Sequence, residues 1–167
     1  MDVQRPLPRL PLLHLMAGTI VLLAALLAGP VAVRADSFVL LATYDGVINP
    51  VTAEYLHDAL LSAQDNGAQA LIIRLNTPGG LDPSMRLIIK DITAATIPVV
   101  VYVAPSSSRA ASAGLFITMA AHVAAMAPGT NIGAAHPVAI GGGEMDKTMK
   151  EKVENDSVAY LKSITSQ

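Results

Sequence analysis

Hydrophobic residues along the chain form short, dense runs that alternate with longer segments of mixed polarity. Short runs rich in Val, Ile and Leu are typical of buried strands, and apolar positions recurring every three or four residues are typical of helices. Strands are predicted at 37–43, 68–75, 98–103 and 122–128, and helices at 52–66, 81–95, 115–121 and from 145 onward. This alternation predicts an α/β fold with a largely parallel sheet and flanking helices.

The apolar stripes of three predicted helices identify the residues that we expect to face the core. Thr52 is the expected N-cap of the first helix, and Asn66-Gly67 is its expected end. The expected inward positions are Tyr55, Leu56, Ala59, Leu60 and Ala63, then Met85, Leu87, Ile88, Ile92 and Ala95, and in the last helix Val153, Ser157, Tyr160, Leu161 and Ile164.

Residues 1–35 have the pattern of a targeting segment. Arg5 and Arg9 precede a mostly apolar run from 10 to 29, and Val33-Arg34-Ala35 matches a small-residue cleavage site. A signal peptide is favoured, and an uncleaved membrane anchor is the alternative, because the run approaches the roughly 20 residues that span a bilayer. Both interpretations predict that residues 36–167 form one exported domain on the extracytoplasmic side of a membrane.

Composition excludes several classes of function. The 167 residues carry a net charge of −2 with no run of Lys or Arg, which argues against nucleic acid as a partner. Cysteine is absent from the sequence, which excludes disulfides, thiol nucleophiles and thiolate metal sites. We expect neither a metal nor another cofactor.

Ser112 lies where a predicted strand meets a predicted helix, in the small-residue segment 106–114. Small neighbours let a substrate backbone come close, and a helix N-terminus offers free N–H groups to a developing negative charge. These features suit a nucleophile. The alternative is a serine that caps the helix in a tight turn.

A second candidate loop, Asn76-Thr77-Pro78-Gly79-Gly80, also follows a predicted strand. Because loops after the carboxyl ends of parallel strands converge on one edge of a sheet, we expect it to lie near Ser112. Consecutive glycines can expose backbone N–H groups that bind an oxyanion. The alternative is an ordinary strand-to-helix turn, in which Pro and Gly are common.

A serine nucleophile needs a base, which is usually histidine and in some enzymes a neutral lysine. Of the histidines, His14 lies in the targeting segment, His57 on an exposed helix face and His122 too near Ser112 in sequence, whereas His136 stays open. The candidate lysines on the last helix are Lys147, Lys150, Lys152 and Lys162. Lys152 borders the apolar stripe, and any of the four could instead be a solvated surface lysine.

Three motifs together resemble a known family. Segment 76–80, then Ser108-Arg109-Ala110-Ala111-Ser112-Ala113-Gly114, then 126–137 (Met-Ala-Pro-Gly-Thr-Asn-Ile-Gly-Ala-Ala-His-Pro) are similar to the NfeD-type membrane-bound serine proteases. These belong to the ClpP/crotonase superfamily, with the signal peptide peptidase A group. The resemblance extends from about residue 38 to 163.

The resemblance implies a Ser–Lys dyad that hydrolyses peptide bonds. The family's nucleophile falls on Ser112, and its lysine, in a Lys-x-x-Asn pattern, falls on Lys152. The implied oxyanion hole is formed by the backbone N–H groups of Gly80, next to Gly79, and of Ala113. No cofactor is implied.

The resemblance also implies a homo-oligomer, and a stomatin-like membrane protein or another hydrophobic peptide segment as substrate and partner. Family members continue beyond the lysine helix, so residues 36–167 would be a C-terminally incomplete ClpP-like protease domain. Two other functions remain open: an inactive peptide-binding scaffold of the same fold, and crotonase-like acyl-CoA chemistry, against which the export signal argues.

Overall fold

The computed structural model describes residues 37–134 and 146–166. The predicted targeting segment, His136 and the Gly141-Gly142-Gly143 segment therefore lie outside the described residues. The elements in chain order are β1 (Leu40–Asp45), α1 (Pro50–Asp65), β2 (Leu71–Asn76), α2 (Asp82–Ala94), β3 (Val99–Val103), β4 (Arg109–Ala111), α3 (Ala113–Met119), β5 (Val123–Met126), β6 (Asn131–Gly133) and α4 (Lys147–Thr165).

Four strands form a parallel sheet in the order β1-β2-β3-β5. Ala42, Ile73 and Val101 lie side by side in this register and are buried, as are their neighbours two residues along β2 and β3. The opposite face carries a row of Leu41, Ile72 and the half-buried Val100. The core therefore lies on one face of the sheet, and the predicted parallel α/β fold is confirmed.

Helix α1 begins one turn earlier than Thr52, which corrects the predicted cap. Asn49 is the N-cap: its side chain accepts a hydrogen bond from Thr52 N, and Thr52 Oγ1 accepts one from Asn49 N, forming a capping box. Pro50 occupies the first helical turn, where a missing N–H costs nothing. Leu56, Leu60 and Ala63 are buried as predicted, whereas Tyr55 is exposed.

Helices α2 and α4 show how far helical periodicity was a reliable guide. In α2, Met85, Ile88 and Ile92 are buried as predicted, but Leu87 is exposed and Ile89 is buried in its place. In α4, the predicted stripe is half-buried along its length, with Ile164 fully buried at the end. The contact of α4 with α3 therefore involves its C-terminal half most closely.

A second, two-stranded parallel sheet, formed by β4 and β6, was not predicted. Each strand has three residues and lies in a segment that the sequence presents as a loop. Ser112 N donates to Gly133 O at 2.8 Å and extends this ladder to the start of α3. The small sheet therefore holds the Ser112 turn from one side.

Within 37–134 and 146–166, none of the helices is long and apolar enough to cross a bilayer.

Candidate active site

Ser112 has a strained backbone at the junction of β4 and α3. Its φ of +52° and ψ of −115° lie in a region that non-glycine residues rarely adopt. Such strain costs roughly 1–3 kcal/mol and is often found at functional sites, including the sharp strand-to-helix turn of serine nucleophiles. The geometry places Ser112, a half-buried residue, at the N-terminus of a helix.

The alternative, a serine that caps α3, does not fit this geometry. Ser112 is in the N-cap position, but its side chain makes no capping hydrogen bond. Its carbonyl oxygen accepts from Leu115 N at 2.9 Å, so the turn is closed through the backbone alone. The hydroxyl is therefore left available for another role.

The two candidate loops meet as predicted. A Cβ added to Gly79 would lie 2.7 Å from Ser112 Cβ and 3.2 Å from Ser112 Oγ. Gly79 has a φ of +111°, so only glycine fits here both conformationally and sterically. The Gly79 backbone therefore lies directly against the Ser112 side chain.

Gly80 is held against the loop before α1. Ile48 N donates to Gly79 O at 2.8 Å, and Leu81 N donates to Ile48 O at 2.9 Å. A Cβ on Gly80 would lie only 2.0 Å from Ile48 O, so no other residue fits. These bonds leave the Gly80 N–H without a protein acceptor among the described residues.

The first turn of α3 offers a second free donor. Ser112 N is bonded to Gly133 O, whereas the N–H of Ala113 has no acceptor among the residues that the structure describes. Unpaired N–H groups at a helix N-terminus favour negative charge. Gly80 and Ala113 thus keep their donors unpaired in loops that meet beside Ser112, as an oxyanion hole requires.

Lys152 lies in the second turn of α4, and its side chain is exposed. The structure thus does not itself bring Lys152 together with Ser112, and the dyad stays a prediction. Asn155, the asparagine of the Lys-x-x-Asn pattern, is also exposed.

A contact that sequence analysis missed attaches α4 to the helix that carries the serine. Arg86 of α2 bonds Asp82 at 2.8 Å and Asp156 of α4 at 2.6 Å, and its guanidinium lies 4.2 Å from the centre of the Tyr160 ring. Tyr160 in turn stacks on Phe116 of α3, with ring centroids 6.1 Å apart. Because Asp156 follows Lys152 by one helical turn, this contact lies on the same side of α4 as Lys152.

Charge and burial shift two pKa values at this contact. Burial alone would lower the pKa of Arg86, but its hydrogen bonds and charge interactions with Asp82 and Asp156 outweigh it and raise the pKa. Burial raises the pKa of Tyr160, and the positive charge of Arg86 partly opposes this. Arg86 therefore stays charged and Tyr160 stays neutral at physiological pH.

The histidines within the described residues have structural partners. His57 Nδ1 lies 3.0 Å from Asp91 Oδ2 and joins α1 to α2 on an exposed face, as predicted. Val99 N donates to His122 Nδ1 at 3.1 Å. Both imidazoles are thus engaged in contacts within the fold.

Comparison with known proteins establishes the fold first. A mutant ClpP1 from Listeria monocytogenes matches with a TM-score of 0.55 at 22% identity, over 74% of this chain and 67% of that chain. The chain therefore has the ClpP-like protease fold that the sequence predicted.

The family follows from a closer match. The model of the NfeD1b N-terminal domain matches residues 40–161, and the chain belongs to this family. The membrane-bound protease PH1510 of Pyrococcus horikoshii is 36% identical over 143 residues, which cover 84% of this chain and 32% of the relative. The chain thus spans about a third of that protein.

Two solved structures of a related protease are also similar at 36% identity. A serine-to-alanine mutant of the 1510-N membrane-bound stomatin-specific protease has a TM-score of 0.72, over 79% of this chain and 64% of that chain. A lysine-to-alanine mutant in complex with a substrate peptide has a TM-score of 0.71, over 78% and 60%. The relatives are thus proteases.

Proposed function

We propose that this chain is the protease domain of a membrane-associated serine endopeptidase. Ser112 is the nucleophile, Lys152 is the general base, and the backbone N–H groups of Gly80 and Ala113 form the oxyanion hole. The observation that carries the proposal is the Ser112 turn: a strained serine with an uncapped hydroxyl lies against Gly79, and the loops that hold it leave two N–H groups unpaired.

The proposed reaction is acyl transfer in two steps. Neutral Lys152 accepts the Ser112 proton as Oγ bonds to the peptide carbonyl carbon, and the resulting oxyanion accepts hydrogen bonds from Gly80 and Ala113. The C–N bond then breaks, and the leaving amine takes the proton from Lys152. Lys152 then deprotonates a water molecule, which attacks the acyl ester. The C–O bond to Ser112 breaks, Oγ takes the proton from Lys152, and the acid is released.

A lysine base must be shielded from water, because desolvation is what lowers the pKa of an amine to near neutrality. Lys152 is exposed in the single chain. The proposal therefore requires that the first half of α4 is covered when the enzyme works, by substrate or by a second copy in the proposed homo-oligomer. Two contacts of Tyr160, with Arg86 of α2 and with Phe116 of α3, support the proposal because they fix the C-terminal half of α4 beside the Ser112 turn.

The substrate proposal comes from the relatives. One is named as a membrane-bound stomatin-specific protease, and its lysine mutant holds a substrate peptide. We propose that this chain cleaves hydrophobic segments of a membrane protein, including a stomatin-like partner, on the extracytoplasmic side. Residues 1–35 would supply the export signal or the anchor.

Peptide hydrolysis by matched variants tests the proposal. A fluorogenic peptide that carries a hydrophobic segment of a stomatin homologue is the substrate. Ser112→Ala and Lys152→Ala should each lower kcat by at least about 10³-fold, because both groups act in every turnover. Lys150→Ala, an exposed lysine on the same helix, should keep wild-type activity. Hydrolysis that survives in Ser112→Ala would contradict the assignment.

A peptide-binding module without catalysis is the second candidate, and the exposure of Lys152 favours it. In that case the folded wild-type protein would bind the same peptide, leave it intact, and show equal affinity in the Ser112→Ala variant. Fluorescence anisotropy with the labelled peptide distinguishes this outcome from turnover.

A further inference from the structure

Thr77 is fully buried in the 76–80 loop, where this loop meets the strand that leads to Ser112. Its exposed fraction is 0%, although it is a polar residue in a glycine-containing loop. It follows the last residue of β2 and pairs with Ala110 of β4 in an isolated bridge. It therefore belongs to the loop that carries Gly80 and contacts the strand that leads to Ser112.

The Thr77 hydroxyl fixes the orientation of Gly79. Oγ1 accepts a hydrogen bond from Gly79 N at 3.0 Å and donates to Gly79 O at 3.2 Å. Ile48 N donates to the same carbonyl oxygen at 2.8 Å. Because this carbonyl belongs to the peptide unit that carries the Gly80 N–H, holding it fixes the direction in which that N–H points.

The backbone of Thr77 fixes the segment that leads to the other donor, and its methyl group packs on α3. Thr77 N donates to Arg109 O at 2.7 Å, and Ala111 N donates to Thr77 O at 3.1 Å, on both sides of the bridge to β4. A Cβ added to Gly114 would lie 2.5 Å from Thr77 Cγ2, so the methyl group packs directly on the first turn of α3. Ala113 lies between this contact and Ser112.

We propose that Thr77 is the positioning residue that sets both oxyanion donors at once: its hydroxyl sets the Gly80 N–H, and its backbone bridge to β4 sets the Ala113 N–H, while its methyl group contributes packing. This inference rests on the proposed function of the same site. A small displacement of a donor weakens its hydrogen bond to the transition state more than it weakens substrate binding. Thr77 thus acts on the rate of the reaction without touching the substrate.

Two substitutions separate the hydroxyl from the methyl group. Thr77→Val has the same shape and keeps the methyl contact with Gly114, but it loses both bonds to Gly79. Thr77→Ser keeps the hydroxyl and loses the methyl group. In peptide hydrolysis, Thr77→Val should lower kcat by about 10- to 100-fold with KM within about threefold of wild type. Thr77→Ser should keep kcat within about fivefold, even where urea unfolding shows it to be the less stable variant.

A second readout does not depend on turnover. In ¹⁵N–¹H spectra of the folded protein, Thr77→Val should shift the amide signals of Gly79 and Gly80, and Thr77→Ser should leave them near their wild-type positions. Unchanged signals for Gly80 in Thr77→Val would overturn the inference, as would a kcat equal to wild type or an equal loss in both variants. Absence of hydrolysis in the wild-type protein would overturn the proposed function instead, and the amide signals would still decide the role of Thr77.

Discussion

The contact between Gly79 and Ser112 gives the sharpest structural prediction, which the Gly79→Ala substitution tests. The added methyl group would lie 2.7 Å from Ser112 Cβ and 3.1 Å from the Ala111 carbonyl oxygen. The Ser112 hydroxyl can rotate away, but Ser112 Cβ and the Ala111 carbonyl belong to a backbone that is bonded to Thr77 and Gly133. The methyl group therefore cannot be accommodated without moving the nucleophile.

The size of the effect follows from two contributions. Alanine at a φ of +111° costs about 1–3 kcal/mol in backbone strain. Overpacking against the Ser112 turn costs about 1–3 kcal/mol more. The smaller entropy of the unfolded alanine chain offsets about 0.5 kcal/mol of this. We expect a loss of about 3–4 kcal/mol, a large part of the roughly 5–15 kcal/mol that stabilises a domain.

Gly67→Ala is the matched control, because Gly67 also has a positive φ, +71°, but a Cβ there would meet nothing within 4 Å. Left-handed backbone costs alanine about 1 kcal/mol, and the unfolded-state effect offsets part of it. Urea unfolding should therefore separate the two variants by about 3 kcal/mol, more than a hundredfold in the folded-to-unfolded ratio. Equal stabilities would refute the close approach of Gly79 to Ser112.

Two further predictions concern the attachment of α4. Arg86→Lys loses the simultaneous contacts with Asp82 and Asp156. Because these ion pairs are largely exposed, we expect the free energy of unfolding to fall by only about 1 kcal/mol. Amide hydrogen exchange in α4 should become faster. Unchanged exchange would contradict this. Because burial raises the pKa of Tyr160, the neutral phenol stabilises the fold below about pH 10, and this contribution is lost as pH rises through the folded-state pKa. Urea midpoints should fall above pH 10 in the wild type and fall less in Tyr160→Phe; parallel curves would exclude this role.

The parallel sheet and its core could be predicted because the information is local. The β2 and β3 runs are dense in β-branched and aliphatic residues, and their alternate positions are fully buried, as a sheet with its core on one face requires. The observed strands begin one to three residues later than predicted. Val39, just before β1, shows the reason. It is apolar but exposed, so hydrophobicity alone could not determine where the strand begins.

Elements that depend on distant partners were missed. Strands β4 and β6 contain three residues each and exist because their backbones pair across about twenty residues of sequence. The exchange of Leu87 for Ile89 in α2 has a similar cause, because the phase of a helix is set by what packs on it. The motif around Thr77 could have drawn attention, since a threonine two residues before a glycine commonly bonds its backbone.

The candidate site could likewise be predicted only in part. The meeting of the 76–80 loop with Ser112 followed from sheet topology, and the structure confirms it. Lys152 was assigned as the base from a sequence pattern of the family. Its position relative to Ser112 could not be predicted from the residues around it. The Arg86–Asp156 contact lies between residues 70 apart, so no sequence period could indicate it.

Covalent labelling of the folded protein with a fluorophosphonate, mapped by peptide mass spectrometry, tests the central claim most directly. The account predicts a single adduct on Ser112, with unlabelled Ser106, Ser107 and Ser108 in the loop before β4. Labelling should be at least about a hundredfold slower in Lys152→Ala and unchanged in Lys150→Ala. A folded wild-type protein that acquires no adduct, or an adduct that forms equally fast without the Lys152 amine, would contradict it.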